Sequence, residues 1–201
     1  AMGTMLQNEN LAAEDFGGEQ LDGCNENLVL TRPDVISKVH RAYLQAGADI
    51  ICTNTFGGTP LVLNEYGLGA KAVEINTRAV EIALTTAKEF STPEWPRFVA
   101  GAMGPTTKTL SVTGGITFEE LEENFYVQAK SLVEAGADLL LLETSQDMLN
   151  VKAGTIAIRR AFDDTKKELP VMISGTIEPM GTTLAGQSIE AFYISIEHIN
   201  P

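Results

Sequence analysis

The chain contains 201 residues with a mass of 21.6 kDa, and its 44% hydrophobic and 20% charged residues suit one globular core and argue against a disordered protein. A formal net charge of −13 and a pI near 4.5 argue against nucleic acid or an anionic membrane as a partner, because both would repel the chain. No apolar run reaches the ~20 residues that cross a bilayer, no secretory leader is recognisable and only Cys24 and Cys52 are present, so we expect a protein of the reducing cytoplasm.

The first 30 residues show no sustained hydrophobic period, and we predict a loop with at most one short helix. Residues 1–4 resemble the turn that follows a strand, although no strand precedes them. Thr31 then caps a helix that has Pro33 in its first turn and ends at Gly47.

Strands and helices alternate through the rest of the chain. Proline and glycine mark most of their ends, and a capping box at Thr117 and Glu120 starts the helix that ends at Gly136. The predicted strands are 49–53, 97–101, 139–143 and 171–177, and the helices that follow them carry apolar residues at helical spacing over 75–86, 121–132, 148–162 and 189–199.

A similar sequence segment occurs twice in the chain and marks a repeated strand–loop–helix unit. Residues 135–144 read Ala-Gly-Ala-Asp-Leu-Leu-Leu-Leu-Glu-Thr, and residues 46–56 repeat the phrase with Asn54 and Thr55 in place of the Glu-Thr pair. A continuous apolar run of strand length is typical of a parallel strand that is buried on both faces. We therefore expect a (β/α)8 TIM-type barrel of which residues 1–201 form an incomplete single domain, with about four whole βα units and with the first strand and the last three strands missing. An open doubly wound sheet is the alternative.

Glu143 lies at the carboxyl end of its predicted strand, where parallel α/β folds bind ligands. Asn54 and Thr55 follow another strand and are expected to line the same opening. A carboxylate there suits a substrate ammonium, and backbone amides near Gly3 and Thr4 suit a carboxylate, so the pair describes an α-amino acid. The alternative is that Glu143 forms an ion pair that closes the top of the barrel.

Other chemistries find little support. His40 and His198 lie within predicted helices and are expected on helix surfaces, and no cluster of Cys and His has zinc spacing. Residues 101–108 are rich in glycine, but no glycine directly precedes Lys108, so the phosphate-loop spacing fails and close approach of backbone is favoured. Cys52 is expected to be a small buried residue of its strand.

At these residues the sequence resembles the homocysteine-binding domain of cobalamin-dependent methionine synthase. The resemblance covers nearly the whole chain in order, and the segment with Ile-Ser-Gly-Thr and Thr-Leu-Ala-Gly-Gln is its most specific part. The matching stretches are 1–7, 33–56, 98–110, 135–153 and 171–192.

The resemblance implies a barrel in which zinc, held by three cysteine thiolates, binds homocysteine and lowers the pKa of its thiol, which then takes a methyl group from methylcobalamin to give methionine. By the same resemblance Glu143 holds the substrate ammonium, and the turn of Ala1, Met2, Gly3 and Thr4 holds the carboxylate through backbone amides. Asn54 and Thr55 are carried over as residues that line the opening. Homocysteine is the implied partner, together with cobalamin and folate modules of a longer polypeptide.

The departures from the family pattern concern the metal. The family's three zinc cysteines lie in segments that would follow Pro201, its Asp-Gly pair would precede Ala1, and neither Cys24 nor Cys52 matches a ligand position. We therefore expect a fragment that by itself binds no zinc or cobalamin and is inactive. Two alternatives stay open: a catalytically dead partial barrel that acts as a binding or assembly piece, and an unrelated barrel enzyme that binds an amino acid.

Overall fold

The computed structural model describes residues 2–201, so the predictions made for Ala1 lie outside the described residues. The strands are β1 (Ile50–Cys52), β2 (Phe98–Met103), β3 (Leu139–Ser145) and β4 (Val171–Gly175). The helices are α1 (Met2–Gln7), α2 (Ala13–Phe16), α3 (Leu28–Thr31), α4 (Pro33–Gln45), α5 (Pro60–Leu63), α6 (Ala72–Phe90), α7 (Phe118–Ala135), α8 (Met148–Thr165) and α9 (Ile189–Glu197).

The four strands form one parallel sheet in the order β1-β2-β3-β4. Each strand is joined to the next by a connection that contains a helix, as parallel pairing requires. The register pairs Ile51 with Val99, Gly101 with Leu140, and Leu142 with Ile173. The predicted strands are therefore confirmed to within a residue or two at most of their ends.

The helices cover one face of the sheet. Ile51 and Val99 pack with Leu44 of α4 and Ala83 of α6 in one buried cluster. Further along the sheet, a methyl group placed on Gly154 of α8 would lie 2.9 Å from the Leu142 side chain, and one on Gly175 would lie 2.9 Å from Phe192 of α9. Helices on a single face exclude the doubly wound alternative and confirm part of a barrel.

The opposite face of the sheet would be the inside of that barrel. We call it the concave face. It carries residues that alternate with the helix-facing ones and have 40–48% of their surface exposed, namely Ile50, Phe98 and Met172. The edges of the sheet are β1 and β4. The carboxyl ends of the strands meet at one opening, and the loops after them carry the candidate site. In the part of the chain that the structure describes, no helix combines the length and hydropathy needed to cross a membrane.

The local signals that predict α7 are confirmed in detail. Thr117 accepts a hydrogen bond from the Glu120 amide at 3.2 Å, and the Glu120 carboxylate accepts one from the Thr117 amide at 2.8 Å. Gly136 ends the helix in a left-handed conformation with φ of 96°, which glycine adopts without strain.

The amino-terminal region departs from the prediction. Residues 2–4 are the first turn of α1 and not a turn after a strand, and α2, α3 and two single helical turns follow. These helices have at most six residues, too few for a hydrophobic period to show, and their apolar residues are held by tertiary packing. Leu6, Phe16 and Leu28 are buried in one cluster with α4 and α6.

Three other predictions are wrong. Thr31 ends α3 and does not cap α4, since its hydroxyl donates to the Asn27 carbonyl at 3.3 Å and Arg32 occupies the cap position. His40 is buried at 1% exposure, because it lies on the face of α4 that turns inward, whereas His198 is exposed as expected. Cys52 is exposed, because it lies on the concave face.

Candidate functional site

Glu143 stands at a β-bulge near the carboxyl end of β3. Leu142 pairs with Ile173 and Ser145 pairs with Gly175, so two residues of β3 oppose the single Ser174 of β4. Leu142 faces the helices, and Glu143 therefore faces the concave side. The extra residue, Thr144, keeps Ser145 on the helix side, where it is buried.

Thr144 carries the strain of this bulge. Its φ is 59°, in the left-handed region that a β-branched residue occupies only when the surroundings hold it there. Its amide donates to Ser174 Oγ at 3.1 Å, and its hydroxyl lies 3.5 Å from Glu143 Oε2. Strained backbone is concentrated at functional sites, so this conformation points to a site at the end of β3. The sequence pattern does not reveal the strain.

The Glu143 carboxylate has no cationic partner among residues 2–201. This rules out the ion-pair alternative within the described chain. Burial raises the pKa of Glu143, although the Thr144 hydroxyl acts in the opposite direction. Partial loss of hydration at the Cys52 thiol also raises its pKa, although the residue is exposed, and the charge of Glu143 adds to that increase. The concave face therefore presents an unpaired, half-buried carboxylate to a ligand.

Asn54 and Thr55 follow β1 as predicted, but their side chains are buried and do not line the opening. Asn54 Nδ2 donates to the Asn25 carbonyl at 2.7 Å, and the Thr55 hydroxyl donates to the Ala102 carbonyl at 2.7 Å. Both side chains are buried because they donate to backbone carbonyls of other segments, namely Asn25 in the amino-terminal region and Ala102 of β2. These hydrogen bonds tie the end of β1 to the segments beside it.

The predicted carboxylate-binding amides, apart from that of Ala1, belong to the first turn of α1. Amide groups in the first turn of a helix have no acceptor within the helix. A methyl group placed on Gly3 would lie 3.8 Å from Asn25 Nδ2, and Asn25 is the residue that accepts from Asn54. Met2, Gly3 and Thr4 are thus brought near the carboxyl end of β1.

Glu26 reinforces the same junction and is absent from the sequence-based predictions. Its carboxylate accepts a hydrogen bond from the Gly57 amide at 2.7 Å, and burial raises the pKa of this group. Gly104 brings two loops together, because its amide donates to the Phe56 carbonyl at 3.0 Å and a methyl group on it would lie 2.5 Å from that oxygen. This confirms the prediction that glycine here serves close backbone approach.

Residues 104–117 form the loop that follows β2, and the start of α8 holds it. Asp147 is 1% exposed and accepts from the Ser111 amide at 2.6 Å, from the Ser111 hydroxyl at 2.9 Å and from the Leu149 amide at 2.9 Å. Asn150 Nδ2 donates to the Lys108 carbonyl at 2.7 Å. Asp147 is detectable in the sequence as a helix cap, but its contact with Ser111 is not.

The residues of this chain do not fit the zinc that the resemblance implies. Residues 2–201 contain no group of three or more His, Cys, Asp or Glu side chains that could hold a metal ion. Cys24 is buried, and Cys52 lies on the concave face. No role of this chain's residues is therefore assigned through a metal.

Comparison with solved structures supports the fold. The metallated form of the homocysteine methyltransferase MmuM from Escherichia coli superimposes with a TM-score of 0.79 at 20% identity, over 98% of this chain and 68% of that chain. The oxidised form gives a TM-score of 0.78 at 21% identity, over 98% of this chain and 67% of that chain. At this identity the likeness concerns the fold alone.

Comparison with family models is more specific. The model described as homocysteine S-methyltransferase matches residues 1–201, which is the whole chain. The chain belongs to the homocysteine S-methyltransferase family.

Proposed function

We propose that this protein takes part in methyl transfer to the thiol of homocysteine and that Glu143 binds the ammonium group of the substrate. The observation that carries the proposal is the unpaired Glu143 carboxylate on the concave face. A half-buried carboxylate without a cation suits a ligand that brings one, because the charge-assisted hydrogen bond replaces lost hydration. Family membership provides the substrate class.

The amides of Met2, Gly3 and Thr4 are proposed to bind the substrate carboxylate. Their place in the first turn of α1, beside Asn25, supports this role. The finer assignment, by resemblance, is a methionine synthase of the cytoplasm that uses zinc and methylcobalamin, with cobalamin and folate modules in a longer polypeptide. Binding of zinc and of methylcobalamin would depend on segments other than residues 1–201. This chain alone is therefore proposed to be inactive.

The test is Glu143→Gln in the 201-residue chain and in a polypeptide that contains the whole barrel. Loss of one charge-assisted hydrogen bond should weaken homocysteine binding by about 2 kcal/mol, which is about 30-fold in Kd. Isothermal titration calorimetry provides the measurement, and Glu81→Gln, which removes a carboxylate from the exposed side of α6, is the matched control. Equal affinity of the Glu143 variant and the wild type would refute the role.

The pH dependence follows from the ionisation of Glu143. Only the carboxylate binds an ammonium, and burial raises the pKa of Glu143. Homocysteine affinity should therefore fall on acidification at a pH above that expected for an ordinary glutamate, and the Gln variant should lack this change.

A second candidate is a partial barrel that serves as a binding or assembly piece. The exposed Ile50, Phe98 and Met172 on the concave face favour it, together with the open edges of β1 and β4. The third alternative, an unrelated barrel enzyme that binds an amino acid, is excluded by the family match.

A further inference from the structure

Thr144, in the bulge beside Glu143, has a strained backbone conformation that a contact from the neighbouring strand must stabilise. We propose that Ser174 of β4 is a positioning residue for Glu143, because its hydroxyl fixes the left-handed Thr144 and thereby keeps the neighbouring carboxylate on the concave face. This inference rests on the proposed function, in which Glu143 binds the substrate ammonium.

The contact is made at the strained residue itself. The Thr144 amide donates to Ser174 Oγ at 3.1 Å, and this is the hydrogen bond that the described residues provide for the Ser174 side chain. Ser174 is exposed on the concave face, so its hydroxyl is not required by the buried core. Its place opposite the bulge follows from the shift of register between Leu142 and Ser145.

The residues after the bulge are held differently. The Thr176 amide donates to the Ser145 carbonyl at 2.9 Å, and the Ala185 amide donates to the Gln146 carbonyl at 3.1 Å. These backbone contacts persist whatever side chain stands at position 174. Removal of the Ser174 hydroxyl should therefore release Thr144 without unfolding the segment that leads into α8.

Loss of the hydrogen bond between the Thr144 amide and the Ser174 hydroxyl would change the orientation of the Glu143 side chain. A threonine with φ of 59° relaxes to negative φ when its amide loses its acceptor, and the adjacent peptide turns with it. The Glu143 carboxylate is one residue away and lies 3.5 Å from the Thr144 hydroxyl, so it would move with the peptide. A small displacement of a binding group is enough to weaken binding.

The experiment compares Ser174→Ala, Ser174→Thr and Thr144→Gly in the 201-residue chain. The first readout is the titration of the Glu143 carboxyl-carbon resonance by NMR, which needs no substrate. In Ser174→Ala we expect the pKa of Glu143 to fall towards the ordinary glutamate value as the carboxylate reaches solvent. Ser174→Thr keeps a hydroxyl and should retain the raised pKa of the wild type.

The second readout is the Kd for L-homocysteine, measured in the polypeptide that contains the whole barrel. Ser174→Ala should raise this Kd about tenfold, and Ser174→Thr should restore it. Glycine adopts positive φ without strain, so Ser174→Ala should have a smaller effect in the Thr144→Gly background than in the wild type.

The outcomes separate this inference from the proposed function. If Glu143→Gln leaves homocysteine affinity unchanged, the ammonium-binding role fails, and the NMR titration still decides whether Ser174 positions Glu143. If Glu143→Gln weakens binding while Ser174→Ala changes neither the titration nor the Kd, the positioning role is overturned. Equal effects of Ser174→Ala in both Thr144 backgrounds would also overturn it, because Ser174 would then act without Thr144.

Discussion

His40 shows how much one side chain can contribute to the pH dependence of folding. It is 1% exposed on α4, its Nε2 atom has no hydrogen-bond partner within residues 2–201, and burial lowers its pKa from 6.5 to about 4. The neutral imidazole is therefore the form that the folded chain accepts. In the unfolded chain the same group takes up a proton near pH 6.5.

This difference predicts acid destabilisation. Above pH 6.5 the group is neutral in both states and has no effect, whereas between pH 6.5 and about 4 only the unfolded state is protonated. The free energy of unfolding should fall by about 1.4 kcal/mol per pH unit across that window from this group, or about 3 kcal/mol in total. Urea unfolding at a series of pH values provides the measurement.

The variant His40→Leu should remove that part of the pH dependence, because it keeps the volume but cannot be protonated. His198→Leu is the control, since His198 is exposed on the turn after α9. An unchanged slope in His40→Leu would show that another group causes the acid sensitivity.

At the scale of elements, the start of α8 joins two features of the opening. The segment that displays Glu143 continues into Asp147, and Asp147 caps α8 while it holds Ser111 of the preceding loop. One buried carboxylate therefore satisfies the first turn of a helix and orders the loop of residues 104–117. A polar network of this kind depends on every partner being present.

We predict that Asp147→Ala destabilises the fold by about 3 kcal/mol, the sum expected for a lost helix cap and lost hydrogen bonds to a buried carboxylate. Limited proteolysis should then cut within residues 104–117 faster than in the wild type. Asp163→Ala, an exposed position of the same helix, is the control. Proteolysis at the wild-type rate would mean that Asn150 is sufficient to hold the loop.

At the scale of the whole described chain, residues 2–201 form an open sheet whose concave face is not covered by their helices. The concave face exposes Ile50, Phe98 and Met172, and the edge strands β1 and β4 offer unpaired backbone groups. Opposing this, the net charge of −13 repels other copies of the chain. The balance between apolar attraction and charge repulsion should depend on salt.

We therefore predict that the 201-residue chain binds a hydrophobic dye and associates increasingly as salt is raised, because screening removes the repulsion and leaves the apolar face. Analytical ultracentrifugation at low and high salt provides the measurement. The double variant Phe98→Lys and Met172→Lys should abolish both dye binding and association. A wild type that stays monomeric at high salt and binds no dye would contradict the assembly role.

The sequence by itself determined the order of strands and helices, the box at Thr117 and the place of Glu143 at the end of β3. Those features depend on residues within about one or two helical turns of each other, and hydrophobic period and capping chemistry report such local relations. The alternation of strands and helices could therefore be predicted from local patterns, whereas the family was indicated by the resemblance of whole segments.

Only the tertiary structure decided the rest. Ser174 lies opposite Thr144 because the register of β3 and β4 slips by one residue, and Asp147 reaches Ser111 because two loops meet at one end of the sheet. His40 is buried because other helices pack on the face of α4 that it shares with Ile36. The spacing of four residues places it on that face, but a polar side chain is ordinarily expected at the surface. Contacts between residues distant in the chain are set by packing and register, and these arise only when the strands and helices assemble.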